Sequence, residues 1–485
     1  MKKSIIVLSL FLFIPGICGA ATIFLDNNTG VTNGCANYNP DTRTCGSGTN
    51  KAYSDAYTAS QALNNGDTLS IRAGEYYSDV TGKSGYIWVY GSMTVRASNV
   101  TIKNYNDETV WLKGGASRVT PAAHPNNALF LYGNNITVDG LNLYGGTIVS
   151  GSNNTIKNCD LSGGFDHQAP WNTSTPDAAW PNVIRFIESS NALVQNCKLH
   201  DNVKPPAGGN DSNMGLVMHE RDDNTIVENC EFYNPCASFG YLKYQSGYNG
   251  YAFHGTGVHA TYRYNLFRAG TNGGSGGWEL AAGLPNAPNP VQNEYFYQNI
   301  FIGCQSGFLD EFVASGTLFA FIYNNTFYNS PKALFNWSGN DVYNWFNNVI
   351  INDTAGNFNI SLDGSTGTIW SYMDYNNYFA SGVVASWYQN WSTRASTLSA
   401  WQNYTSGLGS AKDTHSVNTN PNFINASGTF SQASDFQRTS YPQNGRGGSW
   451  RSVMGAYVTG TENIGVTGAQ SPTLLSAPQN FRIQQ

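Results

Sequence analysis

Asn154-Thr-Ile-Lys-Asn-Cys-Asp-Leu161 is followed by Asn191-Ala-Leu-Val-Gln-Asn-Cys-Lys-Leu199 and then by Asn224-Thr-Ile-Val-Glu-Asn-Cys-Glu-Phe232. Earlier copies start at Asn99 and Asn135, and looser ones end at Phe267, Phe301, Phe327, Ile350 and Phe379. Inside each copy the apolar residues alternate with polar ones. That two-residue period belongs to strands, not helices. Each copy is one short strand, an Asn or Gly, and a second short strand.

A unit of this size cannot bury its own apolar face. Stacked copies can, and repeat periods of tens of residues indicate a solenoid. The recurring Asn suits a turn that needs left-handed backbone, and stacked Asn side chains can bond from coil to coil. The expected fold is all-β, a right-handed single-stranded parallel β-helix. About ten coils at ~4.8 Å each would make a body about 50 Å long. Cys159, Cys197 and Cys230 hold the same place in three copies, with spacing unlike a zinc site. They are expected to stack as small buried side chains.

Outward from the repeat, residues 1–20 read as a signal peptide. Lys2 and Lys3 precede an apolar run from Ile5 to Ile17, and Cys18-Gly19-Ala20 offers small residues for cleavage. The expected location is therefore outside the cell, in the periplasm or at the cell surface, with no membrane span. Residues 21–64 are expected to cap the first coil, 65–460 to form the helix, and 461–485 to be a flexible tail or linker. Cys35 and Cys45 flank a turn-rich loop and can pair in an oxidising compartment. Charged residues make up 12% of the chain and the net charge is −6, which excludes a generally basic nucleic-acid-binding surface. A monomer is expected.

The chain resembles the pectate-lyase-like right-handed β-helix superfamily over roughly residues 65–460. Gly66-Asp-Thr-Leu-Ser-Ile-Arg-Ala-Gly-Glu-Tyr76 looks like the lead into the first coils, and Asp374-Tyr-Asn-Asn-Tyr-Phe379 like a late one. Leu398 to Gln402, Asp413 to Ser416, Asn420 to Phe423 and Met454 to Tyr457 look like the closing segment of bacterial members. The resemblance implies the fold. Activity on this scaffold has to be argued from the site.

Long inserts fall between Leu161 and Val183, Leu199 and Gly215, Phe232 and Gly250, and Phe267 and Val291. Four consecutive coils carry them, as one wall of a cleft would require. The strands in these coils hold unusual polar density for so uncharged a chain. Lined up as neighbours, Val183 to Glu188, Leu216 to Arg221, Tyr251 to Gly255, Trp278 to Leu280 and Phe308 to Glu311 bring Arg185, Glu188, His219, Glu220, Arg221, His254, Glu279, Asp310 and Glu311 near one face. Asp166-His167 and His200-Asp201 read as turn residues.

Lys243 lies between Tyr241 and Tyr244, one coil beyond the strand of His219 to Arg221. To accept a proton near neutral pH, its affinity for protons must fall far below that of a free lysine. Arg221, Arg185 or a metal ion can lower it. These parts suit β-elimination on a uronate-containing polysaccharide: a neutralised carboxylate acidifies the C5 proton and a base removes it. The β-helix alginate and chondroitin lyases, which this chain resembles, pair a Lys base with an Arg and hold Ca²⁺ on acidic residues of adjacent coils. The resemblance makes Lys243 the base. Glu220, Asp222 and Asp223 offer the oxygen ligands calcium prefers. Where those lyases place the Arg, this chain has Phe253-His254, so His254 would be its substitute. Tyr241, Tyr244, His219, Trp278 and Glu279 are candidates for substrate contact. Two other readings stand beside this one. Glu220, Glu279, Asp310 and Glu311 could supply the carboxyl pair of a glycoside hydrolase. Tyr241, Tyr244, Tyr248, Tyr251 and Trp278 could serve a non-catalytic glycan-binding solenoid.

Overall fold

A computed structural model describes residues 20–78, 91–114, 127–163, 182–202, 215–220, 222–235, 238–243, 259–269, 278–281, 291–304, 306–310, 317–330, 332–336, 342–351, 358–362, 369–379, 386–389, 392–407, 412–425, 430–440, 445–447 and 453–466. Three sheets of 14, 11 and 12 strands run the length of the molecule. In each coil the chain visits the first sheet, then the second, then the third, and pairs parallel with the coil before and the coil after. The alternating repeats produce this directly: Thr225–Glu228 lies in the first sheet and Glu231–Tyr233 in the second. Val227 and Phe232 point into a common core.

The corner between those two strands sets the geometry. Its first residue is left-handed in coil after coil: Asn158, Asn196, Asn229, Tyr264, Gln298, Asn324, Asn347 and Tyr375 all have φ between 53° and 58°. Asn adopts this conformation at little cost, which accounts for its recurrence. Tyr and Gln occupy it in three coils.

The next residue points inward and forms a column that changes chemistry halfway. It reads Cys159, Cys197, Cys230, then Asn265, Asn299, Asn325, Asn348 and Asn376. The thiols are free and buried, as expected. Each asparagine from 265 to 348 donates its Nδ2 to a backbone carbonyl one coil back, at 2.9 Å. Its Oδ1 accepts the backbone N–H of the preceding column residue at 2.9–3.0 Å. The thiols reach the equivalent carbonyls only at 3.6–4.0 Å. Beside this column Phe232, Phe267, Phe301 and Phe327 stack at 4.6–4.7 Å between ring centroids.

Both ends are closed. At the start, Thr22–Leu25 joins the first sheet beside Thr68–Ile71. Cys35–Tyr38 runs antiparallel to Asn50–Tyr53, and Cys35 is disulfide-bonded to Cys45. At the far end Asp413 is wholly buried and accepts hydrogen bonds from Asn376, Ser416, Tyr378 and Trp401. Burial pushes its carboxyl up, against those bonds. The chain then doubles back as a strap over the outer face of the second sheet. Phe423, Phe436, Met454, Tyr457 and Ile464 pack there on Leu266, Ile300, Val349 and Ile351. The strap outlasts the boundary expected at residue 461: Asn463 accepts from the Asn229 side chain, and the Gly465 N–H donates to the Tyr264 carbonyl. No helix among the described residues is long and apolar enough to cross a membrane.

Further along the second sheet's outer face, His200 ties coils together. Its Nε2 meets Asp160 at 2.8 Å and its Nδ1 meets Asp201 at 2.5 Å, while its ring stacks on Tyr233 at 4.4 Å. Burial disfavours its charge, but the two carboxylates outweigh burial and raise its pKa above the ordinary 6.5.

Two outcomes follow from these contacts. Asn325→Ala strips a donor from Phe296 and an acceptor from Asn299. It is expected to cost about 2–4 kcal/mol, against about 1 kcal/mol for Cys197→Ala, in urea unfolding. An equal or larger loss for Cys197→Ala would refute the ladder's role. The stability from His200 is complete below its unfolded pKa and disappears as pH rises through the higher folded value. His200→Gln should flatten that part of the stability–pH curve.

Candidate functional site

Sheet three carries the polar density read from the sequence. Its strands Ile184–Ile187, Gly215–Glu220, Ser238–Lys243 and Trp278–Ala281 are consecutive neighbours. Two register columns cross them. One reads Arg185, Met218, Tyr241, Glu279, and the other Ile187, Glu220, Lys243, Ala281. Arg185 and Ile187 are half-buried, whereas Ile184 and Phe186 are buried, and Met218 in the first column is buried as well. Glu220 and Lys243 are direct partners on adjacent strands, ~4.8 Å apart. The strand above Gly215–Glu220 is therefore Ser238–Lys243. Tyr251 to Gly255, expected there, lies outside the described residues together with His254.

Tyr244 and Arg221 also lie outside the described residues, as do Tyr248 and Glu311 and most of the four inserts. The points where those inserts leave the coils are defined. Residues 164–181, 203–214 and 270–277 follow the second sheet and precede the third. Residues 244–258 and 282–290 follow the third and precede the first. They thus spring from both corners bordering sheet three, not from the single side expected.

Several assignments need correction. His219 is wholly buried and cannot contact a substrate on the outer face. It falls one residue out of phase with Glu220, in the interior column of Phe186, and stacks on that ring at 4.9 Å. Asp222 is buried too and holds the His219 Nδ1 at 2.8 Å, while Nε2 bonds the hydroxyl of buried Tyr262. Trp278 stands in the register column of buried Val217 and Ile184. Asp310 stands in the column of Leu280. Glu220 and Glu279 are two strands apart in different columns, not the adjacent pair that the hydrolase reading uses.

The calcium set does not converge. Asp222 is turned inward onto His219. Asp223 faces outward at the corner after Glu220, where its Oδ1 meets the Nδ1 of His259 at 2.5 Å. Calcium takes six to eight converging oxygens, and Asp222 and Asp223 do not share a centre. Among the described residues no group of three or more His, Cys, Asp or Glu side chains is arranged to hold a metal.

Two groups here went unnoticed in the sequence. His259 was hidden because its partner, Asp223, is 36 residues away and meets it only when coils stack. Glu294 lies wholly inside the helix, in the column of Thr225, Ala260 and Ala320. Burial, and then the charge of Asp222, push its carboxyl well up. Its alternating position in Asn293-Glu-Tyr-Phe296 marked it as inward, but a buried acid reads like an exposed one in sequence.

Comparison with known proteins agrees with this architecture. Residues 84–274 match the family model described as the right-handed beta helix region. No curated protein matches the chain. Among solved structures, it is similar to the pectate lyase Pel9A: 14% identity, TM-score 0.49, 90% of this chain and 96% of that one. It is also similar to a mannuronic acid specific polysaccharide family 6 lyase from human gut microbiota, at 10% identity and TM-score 0.31 over 66% of this chain and 77% of that one. A lacto-N-biosidase from Eubacterium ramulus gives 10% identity and TM-score 0.33 over 76% and 67%. None of these likenesses bears on which residues act. The matched repeat and the three stacked parallel sheets give one answer: the chain has a right-handed parallel β-helix fold.

Proposed function

We propose that this chain is a secreted lyase that cleaves a uronate-containing polysaccharide by β-elimination on the third sheet. The observation that carries the reading is the direct register pairing of Lys243 with Glu220, beside the column of Arg185, Tyr241 and Glu279. Charged residues are scarce in this chain, yet five of these polar and aromatic positions fall within four consecutive strands.

The chemistry follows from elimination itself. Arg185 meets the uronate carboxylate and withdraws its charge, which acidifies the C5 hydrogen. Lys243, in its amine form, takes that proton. The C5–H electron pair becomes the C4–C5 double bond, and the C4–O4 bond breaks with its electrons leaving on oxygen. Adjacent coils repeat at ~4.8 Å, close to the length of one sugar, so a polymer lying along the axis would meet a new strand at each residue. Tyr241 would offer an aromatic surface to a neighbouring ring. No step passes through calcium.

The test is direct. The purified chain is incubated with alginate, pectate and chondroitin, with and without chelator. New ultraviolet absorbance from an unsaturated sugar end, surviving the chelator, is the expected result. Lys243→Ala should lower the rate about 10²- to 10⁴-fold with unchanged circular dichroism. Reducing ends without the absorbance would mean hydrolysis and overturn the proposal. Unchanged turnover in Lys243→Ala would remove the lysine from the reaction.

A further inference from the structure

Elimination leaves a negative charge on the departing O4, and that oxygen needs a proton. Lys243 has just received one, from the other side of the bond being made. A second group can supply it, and His259 lies at the corner that follows the strand of Lys243.

Lys243 closes the strand Ser238–Lys243, and His259 opens the next strand of the same coil, His259–Arg263. Residues 244–258 connect them, so the two residues are the anchor points of one insert at the edge of the third sheet. One coil back, Glu220 closes its strand and Asp223 follows three residues later, within roughly 11 Å of chain. Asp223 is the residue that grips His259, Oδ1 to Nδ1 at 2.5 Å. The His259 backbone N–H donates to the Asp222 carbonyl at 3.3 Å, which fixes the start of the strand against the same corner.

The pair differs from two of the other histidine–carboxylate contacts, while His415 at the far end of the helix pairs with Asp374 in the same way, through Nδ1 at 2.6 Å. His219 is sealed inside, and His200 has both ring nitrogens on carboxylates. His259 has a 26% exposed side chain and its Asp223 partner is 42% exposed. Its Nε2 has no hydrogen-bond partner among the described residues. A carboxylate on Nδ1 orients the ring, which leaves Nε2 as the nitrogen to act on a substrate.

We infer that His259, held by Asp223, is the catalytic acid that delivers a proton from Nε2 to the departing glycosidic oxygen. This rests on the elimination reading of the same site. The proton leaves imidazolium Nε2 as the C4–O4 bond breaks. The neutral ring regains a proton from water, while Lys243 sheds the one taken from C5. Asp223 acts through the ring and is a positioning residue.

The test uses the full chain and the polymer it cleaves. His259→Ala should lower kcat about 10²-fold or more with KM within about threefold. Added imidazole should restore at least tenfold of the loss in His259→Ala and nothing in Lys243→Ala. Asp223→Asn should fall in between. His259→Gln serves if the alanine variant does not fold. Retention of more than half the wild-type kcat, or a loss that imidazole leaves untouched in a folded variant, overturns the assignment while leaving elimination intact. A wild-type chain that yields no unsaturated ends overturns the elimination reading itself. Contact is read separately from turnover. Diethyl pyrocarbonate should modify His259 in the free protein, and a bound oligosaccharide of the cleaved polymer should protect it. Modification undiminished by a bound oligosaccharide also overturns the assignment.

Discussion

Everything in this molecule depends on coils staying in register, and the strongest device for that is the buried asparagine ladder. Backbone bonds between parallel strands hold neighbouring coils together, but they also permit slippage, because any register supplies bonds. The column from Asn265 to Asn376 does not permit it. Each side chain bridges two coils through both its amide nitrogen and its oxygen, and a shift of one residue would leave those groups unpaired in the core. The left-handed residue before each column member turns the chain sharply enough to aim the next side chain inward. Position in the column thus fixes the phase of every strand that follows in the same coil, including those on the third sheet.

That phase is why the fold was legible in the sequence and the site was only partly so. The copies at Asn154, Asn191 and Asn224 declare strand, turn and inward Cys in order, and the structure has all three. Alternation within the third-sheet strands was equally available. Leu216-Val-Met-His-Glu-Arg221 places His219 opposite in phase to Glu220, and grouping them on one face ignored the two-residue period. Chemistry encouraged the error. Polar residues usually face water, so a buried histidine clasped by an aspartate and a tyrosine looks like an exposed one until its partners are seen. Tyr262 lies 43 residues from His219, and nothing local links them.

One cluster of interior polar groups lies in the coils that carry the long inserts. His219, Asp222, Tyr262 and Glu294 are all wholly buried. Hydrogen bonds join the first three, Asp222 through Oδ2 alone, and burial pushes the carboxyl of the fourth well up. The turn that carries Glu220 and Asp223 is thereby pinned from inside at Asp222, so a surface corner takes its position from an internal contact.

The change from thiol to amide in the column gives the solenoid a grain. Beyond Cys230 the coils are stitched by short amide bonds that end in the Asp413 knot and are overlaid by the strap. Before it they are joined at this corner by longer, softer sulfur contacts. A pull along the axis would find the early coils giving first, while the late ones held as a block. The boundary falls among the coils that bear Lys243 and His259, where a firm half meets a compliant one.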